Sequence, residues 1–208
     1  MDFETVILKK EEGIATITLN RPEIGNATNR QMYADLSAAL DDVAGDKEMR
    51  ILILTGAGRG FCGGGDTSQM GEGSVYTRMD TAVLQQDIRQ TTQKPLFSLH
   101  KVVIPTIAMV NGFAVGGGFD LACACDIRIG SEKARFSNAF VSVGLTLEWG
   151  IQYYLPRIIG LGKASEILYT GRWVEAEEAE RIGLLNKLVP PGELEKVTMD
   201  MATGTARA

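Results

Sequence analysis

The chain has one histidine, His100, and three cysteines in 208 residues, and its 21 basic residues are outnumbered by 26 acidic ones. Each shortage excludes something. With a single His, and with Cys62, Cys123 and Cys125 in no CxxC spacing, the usual ligand set of a zinc site cannot be assembled, and no metal is expected. The same cysteines match no disulfide framework, which reads as a reduced, cytoplasmic protein. A net charge of −5 and a pI near 5.0 argue against nucleic acid and against an anionic membrane surface as partners. The longest uncharged apolar run, Val102–Val110, is too short for a bilayer and contains Pro105. The opening Met1-Asp-Phe-Glu-Thr5 lacks the basic start and apolar core of a signal peptide. His100, in Leu99-His100-Lys101, lies apart from every glycine loop in the sequence, so it reads as structural rather than as the base of a Ser-His-Asp triad.

What is present is a globular chain, 45% hydrophobic, long enough for a substantial core. Phe3–Lys9 and Ile14–Asn20 read as strands of a hairpin, and Thr28 or Asn29 caps a helix reaching Ala44. Ile51–Thr55 is wholly apolar, as a strand buried on both faces would be. A glycine-rich loop runs from Gly56 to Gly73, and a polar helical stretch from Met79 to Leu99 is interrupted at Pro95. Strands at Thr106–Val110, Ile127–Ile129, Ala134–Phe136 and Leu185–Val189 alternate with helices at Phe119–Cys125, Trp149–Ile159, Lys163–Thr170 and Ala176–Ile182. That alternation predicts an α/β layer fold with parallel pairing.

The densest signal is Asn111-Gly-Phe-Ala-Val-Gly116-Gly117-Gly118-Phe119-Asp120. Three glycines after a strand and before a helix cost chain entropy, so they are expected only where a Cβ cannot fit. A glycine-started helix also presents free N–H groups and a positive dipole end, so something anionic, or becoming anionic, is expected there. Gly58-x-Gly60-x-x-Gly63 formally matches a dinucleotide fingerprint, but no amphipathic helix follows it. Proton chemistry therefore falls to carboxylates. Asp66 and Asp120 have ordinary readings as a loop cap and a dipole partner. Glu148 is less ordinary: between Leu147 and Trp149, it is the sole charge from Val141 to Gln152. An apolar setting raises a carboxyl pKa toward the range of a general base.

Two glycine loops, each after a strand and each ending in an acid, resemble the crotonase (enoyl-CoA hydratase/isomerase) superfamily. Arg59-Gly-Phe-Cys-Gly-Gly-Gly-Asp66 is similar to its first oxyanion loop and Val110–Asp126 to its second. Leu155-Pro-Arg-Ile-Ile-Gly160, Leu168-Tyr-Thr-Gly171 and Ala176–Leu184 continue the pattern over nearly the whole chain. The resemblance implies a spiral of ββα units over 1–190, usually assembled as trimers or paired trimers, with 191–208 the start of a C-terminal helical region that family members carry further. It implies an acyl-CoA thioester as substrate and no separate cofactor. The thioester enolate would be held by the backbone N–H groups of Gly65 and Gly117, with Glu23, Ile24, Gly63, Asp66, Thr67 and Phe140 as binding residues. Hydratases of the family carry two glutamates; here those positions are Asp120 and Phe140, so standard hydration is disfavoured. Glu148 matches the single acid/base of several isomerases. The expectation is an enoyl-CoA double-bond isomerase. The alternatives are a hydratase, hydrolase or dehalogenase acting on a cyclic or aromatic acyl-CoA with Asp120 as a working carboxylate, or a non-catalytic scaffold.

Overall fold

A computed structural model describes residues 2–69, 80–147 and 149–206. The chain opens with an antiparallel hairpin, β1 (Val6–Glu11) and β2 (Ile14–Leu19). Its two-residue turn is Glu12-Gly13, both at positive φ, 49° and 78°. That is the turn whose twist matches the twist of the flanking strands. Asn29 then caps α1 (Arg30–Gly45), its Oδ1 accepting the Met32 N–H at 2.8 Å. Met32, Leu36, Ala39, Leu40 and Val43 recur at helical spacing and are buried together.

From β3 (Ile51–Gly56) onward the strands alternate between two sheets. β3, β5 (Thr106–Val110) and β7 (Ile127–Ser131) enter the first; β4 (Gly60–Cys62), β6 (Phe113–Val115) and β8 (Arg135–Ser137) enter the second. β9 (Trp173–Glu175) closes the second sheet against β8, and β10 (Lys187–Val189) returns to the first beside β7. Among the described residues the sheet orders are β1-β2-β3-β5-β7-β10 and β4-β6-β8-β9. Pairing is parallel except at the hairpin and at β8/β9. This repeated hand-over from one sheet to the other is a spiral.

The intervening helices are α2 (Thr81–Asp87), followed by a π-helical turn at Ile88–Thr92, then α3 (Lys94–Lys101) and α4 (Gly117–Ala124). After them come α5 (Ile151–Ile159), α6 (Leu161–Thr170), α7 (Ala176–Arg181) and α8 (Leu194–Ala206). One core lies between the sheets and the helices and includes Ile17, Leu52, Leu54, Ala108, Phe61, Phe119 and Phe136. The opposite face of the six-stranded sheet carries Ile14, Ile51, Ile53, Ile107 and Ile129, covered by Leu194 and Ala202 of α8. β3 thus presents Leu52 and Leu54 to one core and Ile51 and Ile53 to the other, which is why its sequence is apolar throughout.

Three local expectations are corrected. The stretch Gly56–Gly73, read as a loop, contains β4, whose glycine lets the Phe113 ring approach closely. The interruption expected at Pro95 falls at Gln93, and Pro95 stands in the first turn of α3, where its missing N–H costs nothing. The helix expected from Trp149 starts at Ile151, because Gly150 sits in the left-handed region at φ 101°.

Candidate active site

The two glycine-rich segments meet at the end of β6. Gly116, at φ 49° and ψ −121°, takes a conformation closed to residues with a Cβ, and its N–H donates to Ser137 O at 3.0 Å. The chain then enters α4 at Gly117. As the first helical residue, Gly117 has no carbonyl one turn back to accept its N–H. Gly64 backs onto the same place: at φ 82°, a Cβ on it would stand 2.7 Å from Val115 O. Gly65 pairs with Thr28 as an isolated parallel bridge, in which Gly64 O accepts the Thr28 N–H at 2.7 Å and the Asp66 N–H donates to Thr28 O at 2.8 Å. In a parallel ladder those flanking bonds turn the Gly65 N–H to the side away from Thr28. Two strand ends, each with a glycine donor, are therefore brought side by side. Such an arrangement can stabilise negative charge developing on a carbonyl oxygen.

Aromatic rings bound this place. Phe140 Cζ is 3.7 Å from where a Cβ of Gly116 would be. The Trp149 indole is 3.5 Å from the equivalent point on Gly117, is only 2% exposed, and has its ring centroid 5.7 Å from that of Tyr33. Trp149, which follows position 148, thus rests on the start of α4. Glu148 itself lies outside the described residues.

Asp120 sits in the first turn of α4, 1% exposed, and its Oδ1 accepts the Ile151 N–H at 2.8 Å. Ile151 is the first residue of α5, so one carboxylate stands at the positive ends of two helices and ties the glycine helix to the turn after position 148. The expected dipole partner is present, and it also joins elements 31 residues apart in sequence.

The expected binding residues form a rim. Glu23 and Ile24 lie in the short turn Pro22–Ile24, with Ile24 exposed. The Gly63 N–H donates to Gly25 O at 2.9 Å, joining that turn to the first glycine segment. Asp66 receives both Nη atoms of Arg21 at 3.2 Å, and its Oδ1 accepts from the Ser68 hydroxyl at 2.6 Å. The Ser68 hydroxyl leads the interactions that hold the Asp66 carboxyl below the usual range; burial opposes them, and the Ser68 amide and Arg21 add to them. Thr67, exposed, opens the turn Thr67–Gln69. This turn, rather than a helix, follows Gly63, so the dinucleotide fingerprint fails on structure as well.

Two features escaped the sequence reading. Asn26, not singled out above, is 0% exposed and at φ 57°. Its amide donates to the carbonyls of Ala57, Gly60 and Phe61 at 2.9, 2.8 and 3.3 Å, clamping the first glycine segment from beneath. Asn next to Gly25 was the available signal, since Asn tolerates the left-handed region. Trp149 was read only as an apolar flank. Among the described residues no group of three His, Cys, Asp or Glu could hold a metal ion, and no helix is long and apolar enough to cross a membrane. Burial pushes the Cys62 thiol up to about 11.

The family model for enoyl-CoA hydratase/isomerase matches residues 9–208. The chain is 37% identical over 203 residues to the short-chain-enoyl-CoA hydratase of Clostridium acetobutylicum, covering 97% of this chain and 75% of that protein. Among solved structures it resembles an enoyl-CoA hydratase from Bacillus anthracis, with a TM-score of 0.89 and 29% identity over 99% of this chain and 78% of that one. It also resembles a monofunctional enoyl CoA isomerase from M. smegmatis, with a TM-score of 0.78 and 39% identity over 97% of this chain and 84% of that one.

Proposed function

The chain belongs to the enoyl-CoA hydratase/isomerase family, and from that premise we propose that it is an enoyl-CoA double-bond isomerase working through a thioester enolate. Coenzyme A is part of the substrate in this reading, and no further cofactor enters. The N–H groups of Gly65 and Gly117 donate to the enolate oxygen, each worth about 3 kcal/mol of barrier. Glu148 removes a proton from C2 and returns it at C4, so one carboxylate serves both half-reactions. The observation that carries this choice is Phe140, whose ring closes on Gly116 where a hydratase has its second glutamate. A phenyl group can neither hold nor deprotonate a water. The Asp120 Oδ1 that accepts the Ile151 N–H supports a structural role for that carboxylate.

The test is a panel of acyl-CoA thioesters incubated in heavy water and read by mass. Wild-type protein is expected to exchange the C2 proton and to move a 3-enoyl bond to position 2. Glu148→Gln is expected to lose both by at least about 100-fold. Undiminished exchange by that variant overturns the assignment of the base, and no exchange by the wild type favours a scaffold.

A hydratase is the second reading, because the Clostridium acetobutylicum and Bacillus anthracis relatives bear that name. It requires oxygen from heavy-oxygen water in the product, which the isomerase reading forbids. The proposed assembly is a homotrimer or a dimer of trimers, and a monomer by light scattering would remove it.

A further inference from the structure

The turn Trp149–Ile151 is held from three directions. The Trp149 indole packs on Gly117, and the Ile151 N–H is fixed by Asp120. The third hold comes from Tyr154, one turn into α5. Its ring lies so close to Gly150 that a Cβ there would stand 2.9 Å from Tyr154 Cε2. The Tyr154 hydroxyl is hydrogen-bonded to Nε2 of His100 on α3, with ring centroids 6.0 Å apart.

Behind this turn α3 and α5 leave a cavity of about 430 Å³, bordered by Leu96, Phe97, His100, Trp149, Gly150 and Tyr154. An open cavity supplies no partner atoms on that side, so packing alone cannot fix the position of the turn there. The bond across the gap takes over that function. Burial, with smaller contributions from the charges of Tyr153 and Asp120, pushes the Tyr154 phenol up to about 12, so it stays protonated through the neutral range.

We propose that His100 is a positioning residue: through the Tyr154 ring it holds Gly150, and with it Trp149, the neighbour of Glu148 in sequence, against the glycine start of α4. This rests on Glu148 being the acid/base, and it gives the chain's single histidine a function without placing it on the substrate.

Tyr154→Phe keeps the ring and its packing on Gly150 and removes only the hydroxyl. Together with His100→Ala it is expected to lower kcat about tenfold with KM within twofold, because a small misplacement of a reacting group acts on the chemical step. His100→Gln, whose amide can both donate and accept, is expected to recover most of the rate. The double variant should be no slower than the slower single one, as for two ends of one bond. An independent readout is Trp149 fluorescence in a Trp173→Phe background, which removes the tryptophan that is 41% exposed and leaves the one that is 2% exposed. There, His100→Ala is expected to raise acrylamide quenching of Trp149 at least about twofold above its low buried value.

Unchanged kcat and unchanged quenching in His100→Ala overturn the proposal, as does a rise in KM matching the fall in kcat. Should Glu148→Gln keep full exchange, the assignment of the base fails while the quenching still decides whether the latch exists. Should Glu148→Gln be inactive and His100→Ala fully active, the latch alone fails.

Discussion

A methyl group on Gly118 would stand 2.4 Å from the Cys62 carbonyl oxygen and 2.6 Å from Cys62 Cβ, both rigidly placed in β4. One on Gly117 would meet only the Trp149 indole, at 3.5 Å or more. Gly118→Ala is therefore expected to lower stability by about 1–3 kcal/mol, while Gly117→Ala folds with an unchanged urea midpoint. Asn26 is the other residue on which the first glycine segment depends. Asn26→Ala removes the donor to the Ala57 and Phe61 carbonyls, while Gly60 O keeps the Asn111 amide, and is expected to cost about 1–3 kcal/mol. Asn26→Asp, of the same shape but able only to accept, should cost at least as much; a midpoint close to wild type would show that the clamp is dispensable.

At the scale of elements, the junction of β1 with α1 carries a pH dependence. The Asp35 carboxylate on α1 accepts from the Thr5 amide and hydroxyl at 2.9 and 2.8 Å, from the Glu4 amide at 3.1 Å and from Gln31 at 2.8 Å. Burial by itself would raise this carboxyl, but the hydrogen bonds outweigh it and hold the pKa below the ordinary value. A carboxyl lowered in the folded state contributes stability that is fully present above its unfolded pKa, near 4. That stability is lost as pH falls through the lower folded value. Urea midpoints are expected to be flat from pH 7 to 5 and to fall below about pH 4. Asp35→Asn should lower the midpoint at pH 7 and flatten the acid limb; an acid limb as steep as wild type would place the titrating group elsewhere.

For the whole molecule, the proposed ligand and the fold are linked. A compound that binds the folded chain alone, present at 100 times its dissociation constant, adds about 2.7 kcal/mol. In a chain of this size that raises Tm by roughly 5–10 °C. Saturating acyl-CoA thioester is expected to give such a shift in thermal melts, and free pantetheine a smaller one. No shift with any thioester in the panel would count against acyl-CoA binding by this polypeptide.

Much of the architecture was legible before any coordinates. The wholly apolar Ile51–Thr55 and the alternation of strands with helices led to an α/β layer fold, because burial on both faces restricts which residues a position accepts; the spiral was what the resemblance of the two glycine segments implied. The family follows from the same motifs. The short strands Gly60–Cys62 and Phe113–Val115 were not legible, since three residues carry no usable periodicity and Gly60 meets Phe113, and Cys62 meets Ala114, only after a long excursion of the chain. Nor could the sequence place Asn26 beneath Ala57, Gly60 and Phe61, bring Phe140 and Trp149 onto Gly116 and Gly117, or join His100 to Tyr154. Each of these depends on where the chain returns after a long excursion. Local residue chemistry determined which backbone groups would be free to meet a developing charge, and the tertiary structure decided which side chains surround them.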